Sequence, residues 1–358
     1  MDNNNAFSEK LVTWYEENAR DLPWRQTTDP YRIWLSEIIL QQTRVIQGLP
    51  YYEKFVENFE NVSELASADE QTVLRLWQGL GYYSRARNLH KCAKEIDKKF
   101  EKNFPKDSKS LIKLPGIGKY TSAAIASFAF KEKVPVIDGN VYRVLARVFG
   151  LDADIASGSG QKKFEELAWE LIPDKNPDTY NQAIMEFGAL HCTPKSPACE
   201  NCIFRLECSA FQNDRQDALP VKTKKVKVKK RYFNYIVFIT DEREMILNKR
   251  EGADIWAGLY DYPLMETSDF LVLEDLISKS EMVSKLQPYI MSVEVSKDYK
   301  HVLTHRHIYA RFFTFKLNIT TEVKDLLLDE NLIFYNEEEV NDLPKPVLVS
   351  RYLNDAIF

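Results

Sequence analysis

Apolar positions recur along this chain with two different periods. From Ser8 to about Phe211 they return every three or four residues, as in FSEKLVTWYEENAR, DPYRIWLSEIILQQTRV and DEQTVLRLWQGLGYYSRARNLHKCAKEI. That spacing predicts amphipathic helices with short breaks. Beyond the polar stretch NDRQDALPVKTKKVKVKK the period shortens to two, and β-branched and aromatic residues dominate RYFNYIVFIT, REMILNKRE, IWAGLYDYPLME and HVLTHRHIYARFFTFKL. Alternation of that kind predicts strands. The pattern therefore divides the chain into a mainly α N-terminal half over 1–215, a lysine-rich linker over 216–230, and an α+β domain over 231–358. A length of 358 residues agrees with two domains. No internal repeat or low-complexity tract interrupts either half.

Composition adds limits. The net charge of −5 excludes binding nucleic acid by bulk attraction, so any DNA contact must be local. The opening MDNNNAFSEKLVTWYEE has neither the basic start nor the apolar run of a secretory signal, and no stretch approaches the ~18 apolar residues of a membrane span. A soluble, cytoplasmic protein with no membrane association is expected. In that reducing compartment, cysteines crowded together point to a metal rather than to disulfides.

Four of the five cysteines, Cys192, Cys199, Cys202 and Cys208, fall in the loop HCTPKSPACENCIFRLEC. Four thiolates complete a closed site, for either zinc or an iron–sulfur cluster. Only Cys199 and Cys202 make the two-residue knuckle of a zinc ribbon, which tilts the choice toward a 4Fe-4S cluster while structural zinc stays open. A closed site organises a loop instead of turning substrate over, and Lys195 and Arg205 within it would face DNA phosphates. The remaining Cys92 sits in a helical pattern and is expected to pack.

Three further segments carry candidate chemistry. In SKSLIKLPGIGKYTSAAIASFAF two helix-like stretches meet at Pro115-Gly116-Ile117-Gly118, where unpaired amides and the helix dipole suit a phosphate. A plain tight turn is the alternative. KEKVPVIDGNVYRVLARVFG runs into Asp138, which is placed to cap the next helix and could do no more than that. In IWLSEIILQQTRV, Ser36, Glu37, Gln41 and Arg44 form a narrow polar stripe on an otherwise apolar helix. Such a stripe either faces solvent or lines a cleft. An ordinary glutamic acid is protonated only about once in 500 molecules at pH 7, so acid catalysis by Glu37 would need desolvation or coupling to the substrate.

The glycine hairpin, the Val-Pro-Val-Ile-Asp-Gly-Asn segment and the four-cysteine loop together resemble the helix-hairpin-helix DNA glycosylase superfamily. Within it, LPWR at 22–25, WLSEIILQQTRV at 34–45 and GLGYYSRARNLH at 79–90 are similar to the adenine DNA glycosylase family, over about the first 210 residues. The resemblance implies base excision repair of adenine mispaired with 8-oxoguanine or guanine in double-stranded DNA, by a monomer associated with the nucleoid in a bacterium. It implies a 4Fe-4S cluster on the four cysteines. It also implies that Glu37 protonates adenine N7 and that Asp138 stabilises the sugar cation, through a covalent intermediate opened by water. Tyr120 and Asn140 would position the sugar and the carboxyls, and Trp24, Arg25 and Gln182 would line the adenine pocket. Gln42 and Tyr82 would insert beside 8-oxoguanine, because a base buried in a duplex must be flipped out to be reached.

Position 120 carries a further implication. Endonuclease III, a relative with the same cysteine spacing, has a Schiff-base lysine there. Tyr120 has no amine to form an imine, so a monofunctional glycosylase is expected. In the C-terminal domain GLYDYPLM resembles the strand and turn before the catalytic helix of Nudix hydrolases, but the following ETSDFLVLEDLISKSEMVSKL lacks their Mg²⁺ ligands. A Nudix-like recognition domain is therefore expected, in which Leu303-Thr304-His305 matches the family's lesion-reading Phe-Ser-His loop. Thr304 and His305 are its candidate contacts. Two alternatives compete: an endonuclease III-like glycosylase with lyase activity, and a non-enzymatic iron–sulfur DNA-binding protein.

Overall fold

The computed structural model describes residues 2–223, 228–252, 254–320, 323, 326–327 and 332–357, with no side chains for residues 2–5. Residues 224–227 of the expected linker lie outside the described residues. Compactness divides the chain into two units, Met1–Ser67 with Asn88–Lys225, and Ala68–Arg87 with Val226–Phe358. No helix is long and apolar enough to cross a membrane among the described residues.

The first half of the sequence is helical, as its period requires: α1 (Asp2–Asn18), α2 (Pro30–Leu40), α3 (Val45–Asn58), α4 (Val62–Ser67), α5 (Glu70–Leu76), α6 (Ser84–Lys99), α7 (Ser108–Leu111), α8 (Lys119–Phe130), α9 (Gly139–Phe149), α10 (Gly158–Leu171), α11 (Pro177–Leu190) and α12 (Ser209–Gln212). Local chemistry fixes the starts. Asp29 caps α2, its side chain accepting from the Tyr31 amide with Pro30 in the first turn, where proline's missing N–H costs nothing. Asp138 caps α9 in the same way. In the first unit Phe7 and Leu11 of α1 pack with Val144 and Leu145 of α9, Phe164, Phe187 and Phe204 in one core. The core touches the cysteine loop, because Cys192 and Cys202 pack against it.

The second unit is built on a mixed seven-stranded sheet. Its strands are β1 (Lys229–Ile239), β2 (Met245–Ile246), β5 (Leu264–Thr267), β6 (Ile290–Val295), β7 (Tyr299–Val302), β8 (Arg306–Leu317) and β9 (Phe334–Tyr335), with β3 (Asn248–Lys249) and β4 (Tyr260–Asp261) paired separately. The long central strands β1 and β8 run parallel, with Lys229 opposite Arg306 and Ile239 opposite Lys316. Helices α13 (Leu273–Lys279), α14 (Glu281–Leu286), α15 (Glu337–Asp342) and α16 (Val347–Ala356) complete it. Alternation puts Ile236, Phe238, Phe313 and Phe315 in a core with α13 and α14. Tyr235 and Phe312 stack at 4.8 Å, and Phe312 in turn stacks on Tyr352 of α16 at 3.9 Å. The one buried amide in the middle of β1, Asn234, is satisfied by the Met265 carbonyl, the Thr267 hydroxyl and the Leu271 amide, as a buried polar group must be.

Candidate active site

In the first unit a cavity of about 1100 Å³ is lined by Glu37, Tyr120, Asp138 and Asn140 together. Its wall on one side is α2. Residues 33 to 39 of that helix are all buried, so Ser36 and Glu37 face the cavity and not bulk solvent, while Gln41, half-buried, and Arg44, exposed, line the cavity beyond the end of the helix. Glu37 is only 9% exposed. Burial lifts its pKa to about 7, with the nearby Asp138 charge adding to the rise and a Tyr120 hydrogen bond and the Arg25 charge opposing it. An ordinary glutamate is almost wholly ionised at neutral pH, whereas this one is about half protonated.

Asp138 is held differently. One carboxylate oxygen accepts from the Asn140 and Val141 amides, each at 2.8 Å, and the other from the Asn140 side chain at 2.7 Å. Burial raises its pKa, and those three hydrogen bonds and the Arg143 charge pull it back. The capping role foreseen for Asp138 and a place in the cavity therefore coexist. Asn140 is fixed in turn by the Arg143 guanidinium at 2.8 Å, which also donates to the carbonyls of Gly188 and Cys192, both at 2.7 Å. Gly188 has to be glycine: a Cβ there would lie 2.7 Å from the Asn140 Cβ.

Trp24, Arg25 and Gln182 line the same cavity. Trp24 packs edge-on against Tyr52 at 5.0 Å. The Gln182 side-chain oxygen accepts from the Tyr15 hydroxyl at 2.8 Å, which leaves its NH₂ to donate. Arg25 is committed to a residue that the sequence reading overlooked. Its guanidinium grips the Glu186 carboxylate at 2.9 and 2.6 Å, and Arg20 grips the same carboxylate at 2.7 and 2.6 Å. Burial would raise the Glu186 pKa, but the two arginines outweigh it and hold the group at about 2. The signal was present, since MEFGAL places Glu186 on an apolar helix much as Glu37 is placed on α2.

The glycine hairpin also borders the cavity, through Gly116 and Gly118. Only a single helical turn, α7, precedes it, less than the full helix that its sequence suggested. Gly116 adopts φ +75°, and a Cβ there would come 2.7 Å from the Asn88 Cβ, so the fold itself demands glycine. A Cβ on Gly118 would meet nothing within 4 Å. Gly118 precedes the uncapped first turn of α8. Gln42, in the exposed loop after α2, has a left-handed backbone at φ +57°. Lys119 pairs with Glu165 at 2.6 Å.

Among the described residues no group of three or more His, Cys, Asp or Glu side chains is drawn in tightly enough to hold a single metal ion. The four loop cysteines are free thiols, as is Cys92, which is buried in α6. They are nevertheless neighbours. Burial raises the Cys199 and Cys202 thiols, and the charges of Cys192 and Cys208 raise both further. Arg147 braces the loop, donating to the Cys192 sulfur at 3.4 Å and the Thr193 carbonyl at 2.7 Å. Arg205 pairs with Glu200 at 2.8 Å.

The description "HhH-GPD superfamily base excision DNA repair protein" matches residues 35–174, and a NUDIX domain matches residues 234–355. The adenine DNA glycosylase of Buchnera aphidicola subsp. Schizaphis graminum (strain Sg) is 34% identical over 358 residues, covering 96% of each chain. That of Homo sapiens is 40% identical over 223 residues, covering 60% of this chain and 41% of its own. The chain belongs to the adenine DNA glycosylase family. Among solved structures, a thermostable thymine-DNA glycosylase aligns with 59% of this chain and 97% of its own, at a TM-score of 0.54 and 30% identity. Endonuclease III in a non-covalent complex with DNA shares the fold, with a TM-score of 0.52 at 19% identity over 60% of this chain and 100% of that one.

The remaining glycosylase residues singled out from the sequence fall in the second unit. The Leu303 amide donates to the Arg306 carbonyl at 2.8 Å, so Thr304 and His305 occupy the exposed tip of the turn between β7 and β8. The Thr304 hydroxyl hydrogen-bonds the Tyr82 hydroxyl. Tyr82 is 41% exposed. Its backbone is left-handed at φ +48°, following Gly81 at φ +71°. Holding a bulky non-glycine residue there costs about 1–3 kcal/mol and needs support from its surroundings. Arg85 gives that support, stacking on the rings of Trp77 at 5.0 Å and Tyr82 at 5.6 Å and donating to the Leu80 and Gly81 carbonyls.

Proposed function

We propose that this glycosylase removes adenine mispaired with 8-oxoguanine, and more slowly adenine opposite guanine, without cleaving the strand. The observation that carries the chemistry is Glu37, a buried acid with a pKa of about 7 in one cavity with the hydrogen-bonded Asp138. Two carboxyls whose environments differ in this way divide naturally into an acid and an anion. The adenine flips into the cavity, and Glu37 gives its proton to N7. The bond from N9 to the sugar breaks, and its electron pair leaves with the neutral base. Asp138 faces the resulting cation at the sugar carbon, where water adds its oxygen and gives up a proton to a carboxylate of the site. Asn140 orients Asp138, and Tyr120 orients Glu37. Trp24 and Gln182 supply a ring face and an amide donor for the base.

The amides that open α8 and the open space at Gly118 suit a backbone phosphate. Gln42 fills the place of the flipped base, while Tyr82, Thr304 and His305 meet the lesion strand. Thr304 offers a hydroxyl to the altered edge of the lesion, and Leu303 gives bulk where the family has a ring. The only lysine beside position 120, Lys119, is held by Glu165, which supports hydrolysis over imine formation.

We assign a 4Fe-4S cluster to Cys192, Cys199, Cys202 and Cys208. A zinc ion would draw its sulfurs to about 2.3 Å from one centre. The loop has only one two-residue knuckle, Cys199 and Cys202, where a zinc ribbon has two, which supports the cluster over zinc. When bound, it would brace the loop against the duplex without a step in base removal.

The test is single-turnover cleavage of duplexes containing A:8-oxoguanine, A:G and A:T by the purified full chain. Abasic sites should appear fastest opposite 8-oxoguanine, more slowly opposite guanine and not at A:T, with no borohydride-trapped adduct. Equal rates at all three, or efficient trapping, would reject the reading. Iron content near four per chain, against zinc near one, tests the cluster.

A further inference from the structure

We propose that residues 68–87, although they lie within the helical half of the sequence, work as part of the C-terminal lesion-reading unit. In this reading Gln78 and Gly258 are positioning residues that set the Tyr82 turn against the Thr304 turn. The inference rests on the assignment of Tyr82 and Thr304 as lesion-side contacts.

The contacts of the segment argue for it one after another. Gln78 bridges two points of the C-terminal fold, its oxygen accepting from the Lys345 amide at 3.1 Å and its NH₂ donating to the Ser350 hydroxyl at 3.3 Å. Arg87 donates to the Ala257 carbonyl. Tyr260 donates to the Gln71 side chain at 3.4 Å. Gly258 adds a close approach: its φ is +83°, and a Cβ there would lie 3.1 Å from the Leu74 Cδ1. Glycine at this position therefore lets α5 settle on the loop before β4. Between the anchors at Gln78 and Arg87 hangs the turn that carries Tyr82, with its hydroxyl on Thr304. Gln78 and Gly258 act through the placement of the turn.

Such a latch predicts a particular kinetic split. Discrimination needs both turns in register, whereas proton transfer at Glu37 uses neither latch residue. With the full-length protein, Gln78→Ala should slow adenine release opposite 8-oxoguanine by about tenfold, the equivalent of two modest hydrogen bonds. Release opposite guanine should stay within about twofold, because binding common to both substrates is unaffected. Gln78→Glu keeps an acceptor for the Lys345 amide and lets Ser350 donate instead, so it should restore most of the ratio. Gly258→Ala should lower the ratio as Gln78→Ala does, and it serves if Gln78→Ala does not fold. Amide hydrogen exchange across residues 79–83 should quicken in both variants and stay unchanged across residues 138–150. An unchanged ratio, an equal fall in both rates, or unaltered exchange at 79–83 would overturn the latch while leaving the lesion-side assignment standing. A wild-type enzyme that does not distinguish 8-oxoguanine from guanine would instead remove the assignment, and the latch with it.

Discussion

Two walls of the same cavity each present a glutamate from an apolar helix, and the two groups end in opposite states. On α2, Glu37 has a tyrosine hydroxyl and a distant arginine for company, and burial carries its pKa to about 7. On α11, Glu186 is also buried but held by Arg20 and Arg25, and its pKa drops to about 2. Burial alone does not decide the charge of a carboxyl; the number of guanidinium groups within hydrogen-bond reach does. One wall therefore keeps a proton ready to transfer, and the other keeps a permanent anion that fixes Arg25 in the base pocket.

The largest effect should come from Glu37→Gln, which preserves shape and removes the transferable proton. Adenine release should fall by up to about 10⁴-fold, the upper range for general acid catalysis, while duplex affinity measured by gel shift persists. A variant retaining a tenth of the activity would break the contrast between the walls. The next effect is structural. Glu186→Gln leaves two part-buried arginines facing each other without their anion, and breaking such a pair costs about 3–5 kcal/mol. Thermal unfolding of the first unit should shift down markedly, with rate lost through misplacement of Arg25. Little change in melting would mean that the arginines find other partners.

The two walls also predict opposite dependences on pH. A carboxyl with a raised folded pKa favours the folded state only while protonated, so the contribution of Glu37 is fully present below about 4.5 and is lost as pH rises through about 7. Glu186 has a lowered pKa, so its contribution is present above about 4.5 and is lost only as pH falls toward about 2. Relative to wild type, Glu37→Gln should therefore gain up to about 3 kcal/mol between pH 5 and pH 8. Melting curves at those two values measure it, and parallel curves for the two proteins would show that Glu37 titrates normally.

Much of this was legible in the chain before any coordinates. Period gave the two halves and Asp29-Pro30 gave the start of α2, while the polar stripe left a solvent face and a cleft wall both open. Asp138 was recognisable as a cap from its place before Gly139-Asn140. What escaped was pairing across sequence distance. Nothing in LPWR announces that Arg25 meets Glu186, because the two are joined only when α11 lies beside residues 23–25. Residues 68–87 escaped for the same reason: their amphipathic pattern declares a helix and a buried face, but not which core that face joins. Local propensity specifies elements, and only packing between elements specifies partners.

The smallest predicted effect separates position from proton affinity at Glu37. The Tyr120 hydroxyl hydrogen-bonds the Glu37 carboxyl and lowers its pKa against the pull of burial. Tyr120→Phe removes that bond and keeps the ring, so Glu37 should hold its proton to higher pH. Wild-type rates should decline above about pH 7 by about tenfold per unit as the acid ionises, and in Tyr120→Phe the decline should begin later. The plateau at lower pH reports any loss of sugar positioning separately, since it does not depend on where the acid titrates. A decline that begins at the same pH in both proteins would mean that Tyr120 does not tune Glu37, and the proton-holding wall would then owe its character to the apolar neighbours of α2 alone.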